Sequence, residues 1–190
     1  MDPTILHSRL AFLRDAERLK SVLRSGHTSC GRAESTAEHS WRLSLMAIAF
    51  EDELRGLDLF KVLKLCVLHD LGEAIHGDIP ATKQHAHPDK AARERQDLLQ
   101  LTDTLDAPLR ASIVGLCDEY ERAQSAEALA VKALDKLETI LQHNQGRNPP
   151  DFDYRFNLEY GRRYTSTHPF FAEVRQVLDS ETLARIAQRQ

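Results

Sequence analysis

The chain lacks three features that would each place it in a specialised class of protein. It has only three cysteines, none of them in a Cys-x-x-Cys pair, which argues against a disulfide scaffold and favours a reducing compartment. No apolar run approaches the roughly 20 residues that a membrane span requires. The first residues also lack the basic and apolar regions of a signal peptide. We therefore expect a cytoplasmic protein without a membrane partner.

The chain also has little net charge. The formal net charge is -4 over 190 residues, so we expect no nucleic-acid partner, and a small anionic substrate would require a local basic pocket. The hydrophobic fraction of 42% and the charged fraction of 28% are ordinary for a globular protein. Because a chain of this length can bury a core without disulfides, we predict a single domain over residues 1–190.

Helical periodicity dominates the sequence and predicts an all-α fold. Regularly spaced leucines predict a first amphipathic helix that ends near Gly26. No segment shows the alternation of a β-strand. We predict a compact helical bundle with its core at about residues 35–145 and C-terminal helices at 151–190 that provide packing or dimer contacts.

Capping residues predict where the later helices begin. Ser35 caps a second helix that runs to about Leu54. Asp58 caps a third helix that runs to about Ile75, and Ser125 caps a long helix further along the chain. These helices carry the polar residues that matter most for function.

Four candidate metal ligands lie on three of these helices. They are His39 on the second, the pair His69-Asp70 on the third and Asp135 on the long helix. Burying two strong ligands side by side is costly unless something binds them. Ligands far apart in sequence are typical of metal sites in bundle cores, and imidazole with carboxylate suits a divalent transition metal (Mn, Co, Zn, Fe or Ni) better than calcium. Since neighbours on a helix do not share a face, we expect the ion against the flank of the third helix.

Two further carboxylates are candidates for acid–base chemistry. Glu73 lies one turn after His69 on the predicted helix, and Asp78 follows shortly afterwards. A carboxylate beside a metal, but not itself a ligand, can act as a general acid or base. A solvated surface glutamate explains Glu73 equally well at this point.

Three basic residues lie close to these ligands along the chain. Arg24 and Arg32 precede the helix that carries His39, and Lys132 lies one turn before Asp135. A phosphate next to a divalent cation favours arginine or lysine, although most single arginines lie at the surface. They are candidate substrate contacts.

Three segments resemble the HD-domain metal-dependent phosphohydrolases, in particular their 5′-deoxynucleotidase branch. The family motif of a His, a His-Asp pair and a distant Asp is present as His39, His69-Asp70 and Asp135. The segments that carry the resemblance are Arg32–His39 (RAESTAEH), Leu68–Pro80 (LHDLGEAIHGDIP) and Val131–Lys136 (VKALDK).

The resemblance implies an all-helical fold with one central divalent metal, often in a homodimer. It implies hydrolysis of nucleoside 5′-monophosphates, preferably deoxy forms, to nucleoside and phosphate. In such a site Glu73 would protonate the leaving 5′-oxygen or manage the proton of the water, and Asp78 would hold the water or the sugar. Arg24 and Arg32 would contact the phosphate.

One position departs from the pattern of this branch. There an aromatic residue, commonly Trp, follows the first arginine and helps to exclude the ribose 2′-hydroxyl. Here the nearest residue is His27, after Arg24-Ser25-Gly26. His27 is therefore a candidate sugar contact, and both deoxy- and ribonucleotides stay open as substrates.

Two other functions fit the same residues. One is an HD-type hydrolase of a nucleoside triphosphate, a cyclic nucleotide or a guanosine alarmone, which keeps the metal and changes the substrate. The other is a metal-stabilised module that binds nucleotide without catalysis, and such a module requires neither Glu73 nor Asp78.

Aromatic residues are concentrated in the C-terminal segment. We expect them to fill the core or an interface rather than to stack on a base, with a lid over the site formed by Tyr154 or Phe156 as the alternative. They are Phe152, Tyr154, Phe156, Tyr160, Tyr164, Phe170 and Phe171.

Overall fold

The computed structural model describes residues 2–189, so Met1 and Gln190 of the predicted domain lie outside the described residues. Within that range the fold consists of α-helices and one two-stranded sheet. The strands are β1 Leu23–His27 and β2 Ala33–Ser35. The helices are α1 Pro3–Ala16, α2 Thr36–Ala49, α3 Leu59–Leu68, α4 Lys90–Leu101, α5 Ala107–Arg122, α6 Ala126–Gln145, α7 Arg155–Glu159, α8 Arg162–Thr165 and α9 Pro169–Ala187. The prediction of a helical fold is confirmed, with a small sheet added.

Helix α6 lies at the centre of the bundle. Ser125 caps it as predicted, since its hydroxyl accepts a hydrogen bond from the N–H of Ala128 at 3.1 Å. Leucine, isoleucine, valine and alanine side chains of α6 are buried, and α2, α3, α5 and α9 pack around it. A helix that is buried on most sides also buries its polar residues, and this places Asp135 inside the molecule.

Helix α2 begins at the predicted capping box. The hydroxyl of Ser35 accepts from the N–H of Glu38, and the Glu38 carboxylate accepts from the N–H of Ser35. The helix ends at Ala49, and a 3-10 turn at Glu51–Leu54 replaces the last part of the predicted continuous helix. The box fixes the first turn of α2, and so it also fixes the position of His39.

The prediction of a first helix that extends to near Gly26 is wrong. Helix α1 ends at Ala16, a 3-10 turn follows at Glu17–Lys20, and the chain then enters β1, which pairs with β2 in antiparallel fashion. Gly31, between the strands, adopts a φ of +91°, a conformation that glycine adopts without steric cost. The leucine spacing that predicts a helix continues into β1. This segment nevertheless forms a strand, because it pairs with β2.

The predicted third helix is interrupted before it reaches Ile75. Helix α3 ends at Leu68, and a 3-10 turn follows at Leu71–Ala74. Helix α4 passes close to this turn. A Cβ atom added at Gly72 would lie only 2.5 Å from the carbonyl oxygen of Glu94 in α4. The helical periodicity of the sequence continues past Leu68. The end of α3 therefore cannot be seen in the sequence and follows from packing against α4.

None of the described helices is both long enough and apolar enough to cross a bilayer. The three cysteines are free thiols, with Cys30 exposed and Cys66 and Cys117 buried.

Candidate active site

The structure brings the four predicted metal ligands to one point inside the bundle. His39 lies in the first turn of α2, His69 and Asp70 follow α3, and Asp135 lies near the middle of α6. The Nε2 atom of His39 is 3.8 Å from Oδ2 of Asp70 and 3.3 Å from Oδ1 of Asp135. The Nε2 atom of His69 is 3.0 Å from the same Asp70 oxygen. Donor atoms from three separate elements therefore converge.

The end of α3 explains how two neighbouring residues reach the same point. On a continuous helix, His69 and Asp70 would point about 100° apart. Asp70 instead has a non-helical backbone, with φ -101° and ψ 14°, which brings its carboxylate to the His69 imidazole. The expectation of a continuous helix through this pair is therefore wrong, and the position of the ion stays a prediction.

Both imidazoles have the surroundings of metal ligands. The Nδ1 of His69 donates to the carbonyl oxygen of Cys66 at 3.0 Å, and the Nδ1 of His39 is hydrogen-bonded to the carboxylate of Glu138. Each Nε2 is buried and, although carboxylate oxygens lie nearby, it forms no hydrogen bond of suitable geometry among the described residues. Buried nitrogens without a partner are rare, and contacts of this kind at the other ring nitrogen orient metal-ligating histidines. The donor set therefore fits a divalent transition metal.

The charges at this point also favour a cation. Burial raises the pKa of Asp70, but the adjacent histidine and Arg24 outweigh burial and hold that pKa below its usual range. Burial and Arg24 lower the pKa of His39, yet Glu138 and Asp135 outweigh them and raise it to about 10. Carboxylates that stay ionised inside the protein concentrate negative charge at this point, and there a cation competes with protons for the ligands.

Glu73 is buried in the same region, with only 4% of its surface exposed. The hydroxyl of Thr36 donates to its Oε2 at 3.2 Å, and the Nζ of Lys90 lies 3.8 Å from its Oε1. Burial and the charges of Asp70 and Asp78 raise the pKa of Glu73 to about 9. These surroundings favour the protonated form of the carboxyl group, and Glu73 is not a solvated surface glutamate.

Arg24 extends from β1 across the site. Its Nη1 donates to Oδ2 of Asp70 at 3.2 Å, and its Nη2 donates to Oγ1 of Thr139 at 3.3 Å. Its Nε lies 3.6 Å from the carboxylate of Glu34. Asp78 lines the same cavity as Arg24, and burial raises the pKa of Asp78 although Arg24 opposes the shift.

The other predicted substrate contacts have different positions. Lys132 lines the cavity, with its Nζ 3.7 Å from the centre of the Tyr120 ring. Arg32 is not among the lining residues, because its guanidinium forms an ion pair with the capping-box carboxylate of Glu38. His27 is not among them either. The positions of Arg32 and His27 therefore do not support a phosphate contact or a sugar contact.

Residues that no sequence motif includes hold the predicted ligands in place. Glu138 fixes His39, while the hydroxyl of Tyr120 and the Nζ of Lys136 each donate to Oδ2 of Asp135 at 2.7 Å. Glu138 follows Asp135 by three residues, so the i, i+3 spacing on one helix face could have identified it. Tyr120 comes from a different helix, and nothing in the sequence connects it with Asp135.

A cavity of about 920 Å³ opens onto the ligand cluster. Its walls come from β1, from the turns after α3, from α4 and α6, and from the segment between residues 151 and 164. Sites for small molecules typically measure about 300–1,000 Å³. The cavity therefore has the size expected for a small-molecule substrate.

The chain is similar to known proteins over most of its length. The profile of the HD domain family matches residues 16–175. The 5′-deoxynucleotidase HDDC2 of Homo sapiens is 33% identical over 193 residues, which covers 95% of this chain and 89% of that protein. Its counterpart in Dictyostelium discoideum is 29% identical, with 90% of this chain and 97% of that protein covered.

Solved structures show the same similarity. The crystal structure of a predicted metal-dependent phosphohydrolase from Magnetospirillum magnetotacticum matches with a TM-score of 0.83 and 26% identity. The match covers 96% of this chain and 94% of the other. The chain therefore belongs to the HD domain family and groups there with proteins named as 5′-deoxynucleotidases.

Proposed function

We propose that this protein is a metal-dependent phosphohydrolase that converts deoxynucleoside 5′-monophosphates to nucleoside and phosphate. The observation that carries the proposal is the buried Glu73, which shares one cavity with Arg24 and the converging metal ligands. Together these groups supply a cation site, a proton donor and a phosphate contact, as hydrolysis of a phosphate ester requires. The relatives named as 5′-deoxynucleotidases support the substrate class.

His39, His69, Asp70 and Asp135 would hold one divalent cation, for which Mn, Co, Zn, Fe and Ni are the candidates. When bound, such a cation polarises a phosphoryl oxygen and lowers the pKa of a water molecule. Arg24, at 3.2 Å from Asp70, adds a guanidinium that can donate to phosphate oxygens. The phosphate would therefore lie in the cavity, beside both Arg24 and the ligand cluster.

Glu73 would donate the proton that the leaving 5′-oxygen of the nucleoside requires. Thr36 fixes its carboxyl group, and burial with the nearby carboxylates raises its pKa to about 9, so the group enters the reaction protonated. Asp78, in the same cavity, would orient the sugar or the water by hydrogen bonding. Water supplies the oxygen that completes the phosphate, and its proton restores Glu73 for the next cycle.

The position of Glu73 argues against a module that only binds nucleotide. Such a module needs ligands and a phosphate contact, whereas a buried carboxyl beside two other carboxylates costs free energy without improving binding. The cavity is also large enough for triphosphates, cyclic nucleotides and guanosine alarmones. These compounds therefore belong in the test.

A phosphate-release assay after chelator treatment, with Mn, Co, Zn, Fe or Ni added back singly, tests the proposal. The panel contains deoxy- and ribonucleoside 5′-monophosphates, triphosphates, cyclic nucleotides and guanosine alarmones. We expect metal-dependent release from the deoxynucleoside monophosphates. Cleavage of only the larger or cyclic compounds would favour the alternative substrates, and no cleavage with any metal would refute the enzyme assignment.

We also propose a homodimer in a reducing cytoplasm. Trp41, Leu45 and Ile48 follow one another at i, i+4 and i+7 on α2, and their exposed fractions are 65%, 46% and 49%. They form an apolar stripe on the outer face of the helix, which a second copy of the chain would cover. The free cysteines support the reducing compartment.

A further inference from the structure

We propose that Phe152 and Phe156 form a stacking surface for the flat face of the nucleobase. The inference rests on the proposed nucleotide substrate. It gives a role in substrate binding to a C-terminal segment whose aromatic residues the sequence assigned to the core or to an interface.

Helix α6 forms one wall of the cavity. Asp135, Thr139 and His143 are spaced four residues apart on one face of α6, and all three line the cavity. Because an α-helix rises about 1.5 Å per residue, Thr139 lies about 6 Å and His143 about 12 Å from Asp135 along the axis. Arg24 spans the first interval, with contacts to Asp70 at 3.2 Å and Thr139 at 3.3 Å.

At the other end of this wall, the polar side chains that line the cavity are engaged with one another. Tyr120 and Lys136 both donate to Asp135 itself, and Lys132 lies over the Tyr120 ring. A nucleotide whose phosphate contacts Arg24 therefore extends along α6 toward His143. The sugar separates the base from the phosphate, so the base lies further along α6, closer to His143.

Aromatic rings form the wall beside this path. The Phe152 ring packs edge-on against His143, with centroids 4.8 Å apart. The Phe156 ring lies 4.9 Å from the Tyr160 ring, which in turn lies 5.0 Å from the Nζ of Lys136. The wall thus runs from Tyr160, near the metal ligands, to Phe152 at the far end. Phe152 and Phe156 are half-buried and line the cavity, so part of each ring is available to a ligand.

Several polar groups next to this aromatic wall are engaged with one another. Asn157 accepts a hydrogen bond from Nδ1 of His143 at 2.7 Å. Asn148 donates to the hydroxyl of Tyr154 at 3.0 Å and accepts from the N–H of His27 at 3.1 Å. Stacking accepts any base because every base has a π-face. We therefore expect broad base tolerance, with purines bound more tightly than pyrimidines because their faces are larger.

The test compares inhibition by the two products, deoxyadenosine and inorganic phosphate, in a Phe156→Leu variant. Stacking of a base on an aromatic ring is worth about tenfold in binding, so the inhibition constant for deoxyadenosine rises by about that factor. The inhibition constant for phosphate does not change, because phosphate binds at the other end of the cavity. Phe152→Leu also raises the inhibition constant for deoxyadenosine and leaves the constant for phosphate unchanged.

Two further variants serve as controls. Phe170→Leu removes a half-buried ring that packs on Phe50 and Phe171 outside the cavity, and it changes neither inhibition constant. Phe156→Tyr keeps an aromatic face and retains the wild-type constant for deoxyadenosine, even if Phe156→Leu impairs folding. Two results for Phe156→Leu would overturn the stacking surface. One is an equal loss of affinity for deoxyadenosine and for phosphate, and the other is an unchanged inhibition constant for deoxyadenosine.

A failure of the proposed function gives a different result. In that case the wild-type protein releases phosphate from no nucleotide. Equilibrium dialysis with deoxyadenosine then tests the stacking surface separately. Binding to the wild-type protein that Phe156→Leu weakens about tenfold supports the stacking surface. Absence of binding to the wild-type protein overturns the stacking surface.

Discussion

Each predicted metal ligand contacts a second group, and this arrangement orients the donor atoms before any substrate arrives. Such contacts fix the ring orientation and tautomer of a histidine and the direction of a carboxylate. The pairs are His39 with Glu138, His69 with the carbonyl of Cys66, Asp70 with Arg24, and Asp135 with Tyr120.

Glu138→Gln tests this arrangement at the residue that the motif does not include. The variant keeps the size of the side chain and removes the charge that faces His39. We expect metal affinity, measured by competition with a chelator, to fall about 10- to 100-fold. Glu127→Gln is the matched control, because Glu127 pairs with Lys61 and its loss leaves metal affinity unchanged. An unaltered affinity in Glu138→Gln would show that the contact does not support the site.

Glu73→Gln separates catalysis from metal binding. Glutamine can still accept the hydrogen bond from Thr36, but it has no acidic proton to transfer. We expect the metal content from elemental analysis to stay the same and kcat to fall about 100- to 10,000-fold. A variant that keeps its metal and a near-normal kcat would exclude Glu73 as the acid.

At the scale of elements, the capping box of α2 connects stability with the site. Ser35→Ala removes the cap one turn before His39. We expect the free energy of unfolding, measured by urea denaturation, to fall by about 1 kcal/mol. Metal affinity also falls, because the first turn that carries His39 frays. Asp58→Ala removes the cap of α3, where the carboxylate accepts from Lys61 N–H at 3.1 Å, and lowers stability without lowering metal affinity. Equal losses of affinity in both variants would contradict the role of the box.

Elements whose boundaries depend on local chemistry were predictable from the sequence. Ser35, Asp58 and Ser125 cap helices where the sequence predicts caps, since a cap involves only neighbouring residues. The ends of α1 and α3 were not predictable. The first depends on pairing between β1 and β2, and the second on the close passage of α4 over Gly72.

The same distinction applies to the candidate site. The residues of the family motif converge, because the motif specifies ligands on helices that must pack together. Sequence proximity suggested Arg32 as a phosphate contact, but it pairs with Glu38. Lys90 and Phe156 reach the cavity from elements distant in sequence. Their positions follow from tertiary packing and have no local pattern.

At the scale of the whole molecule, the exposed stripe of α2 predicts the oligomeric state. We expect sedimentation velocity to show a dimer for the wild-type protein and a monomer for Trp41→Glu, because a charge in a buried apolar contact is costly. Val177→Glu alters another exposed apolar residue, on α9, and leaves the dimer intact. A monomeric wild-type protein would contradict the proposed interface.

The central claim is that one divalent cation joins α2, the end of α3, and α6. A second group of buried candidate ligands, formed by Glu34, His39 and Glu138, lies nearby, but Arg42 already neutralises Glu138 with a contact of 2.6 Å. Anomalous X-ray diffraction from crystals grown with Mn²⁺ distinguishes the two groups. We predict one anomalous peak per chain, in contact with His39, His69, Asp70 and Asp135. A peak at Glu34 and Glu138, or no peak at either group, would contradict the claim.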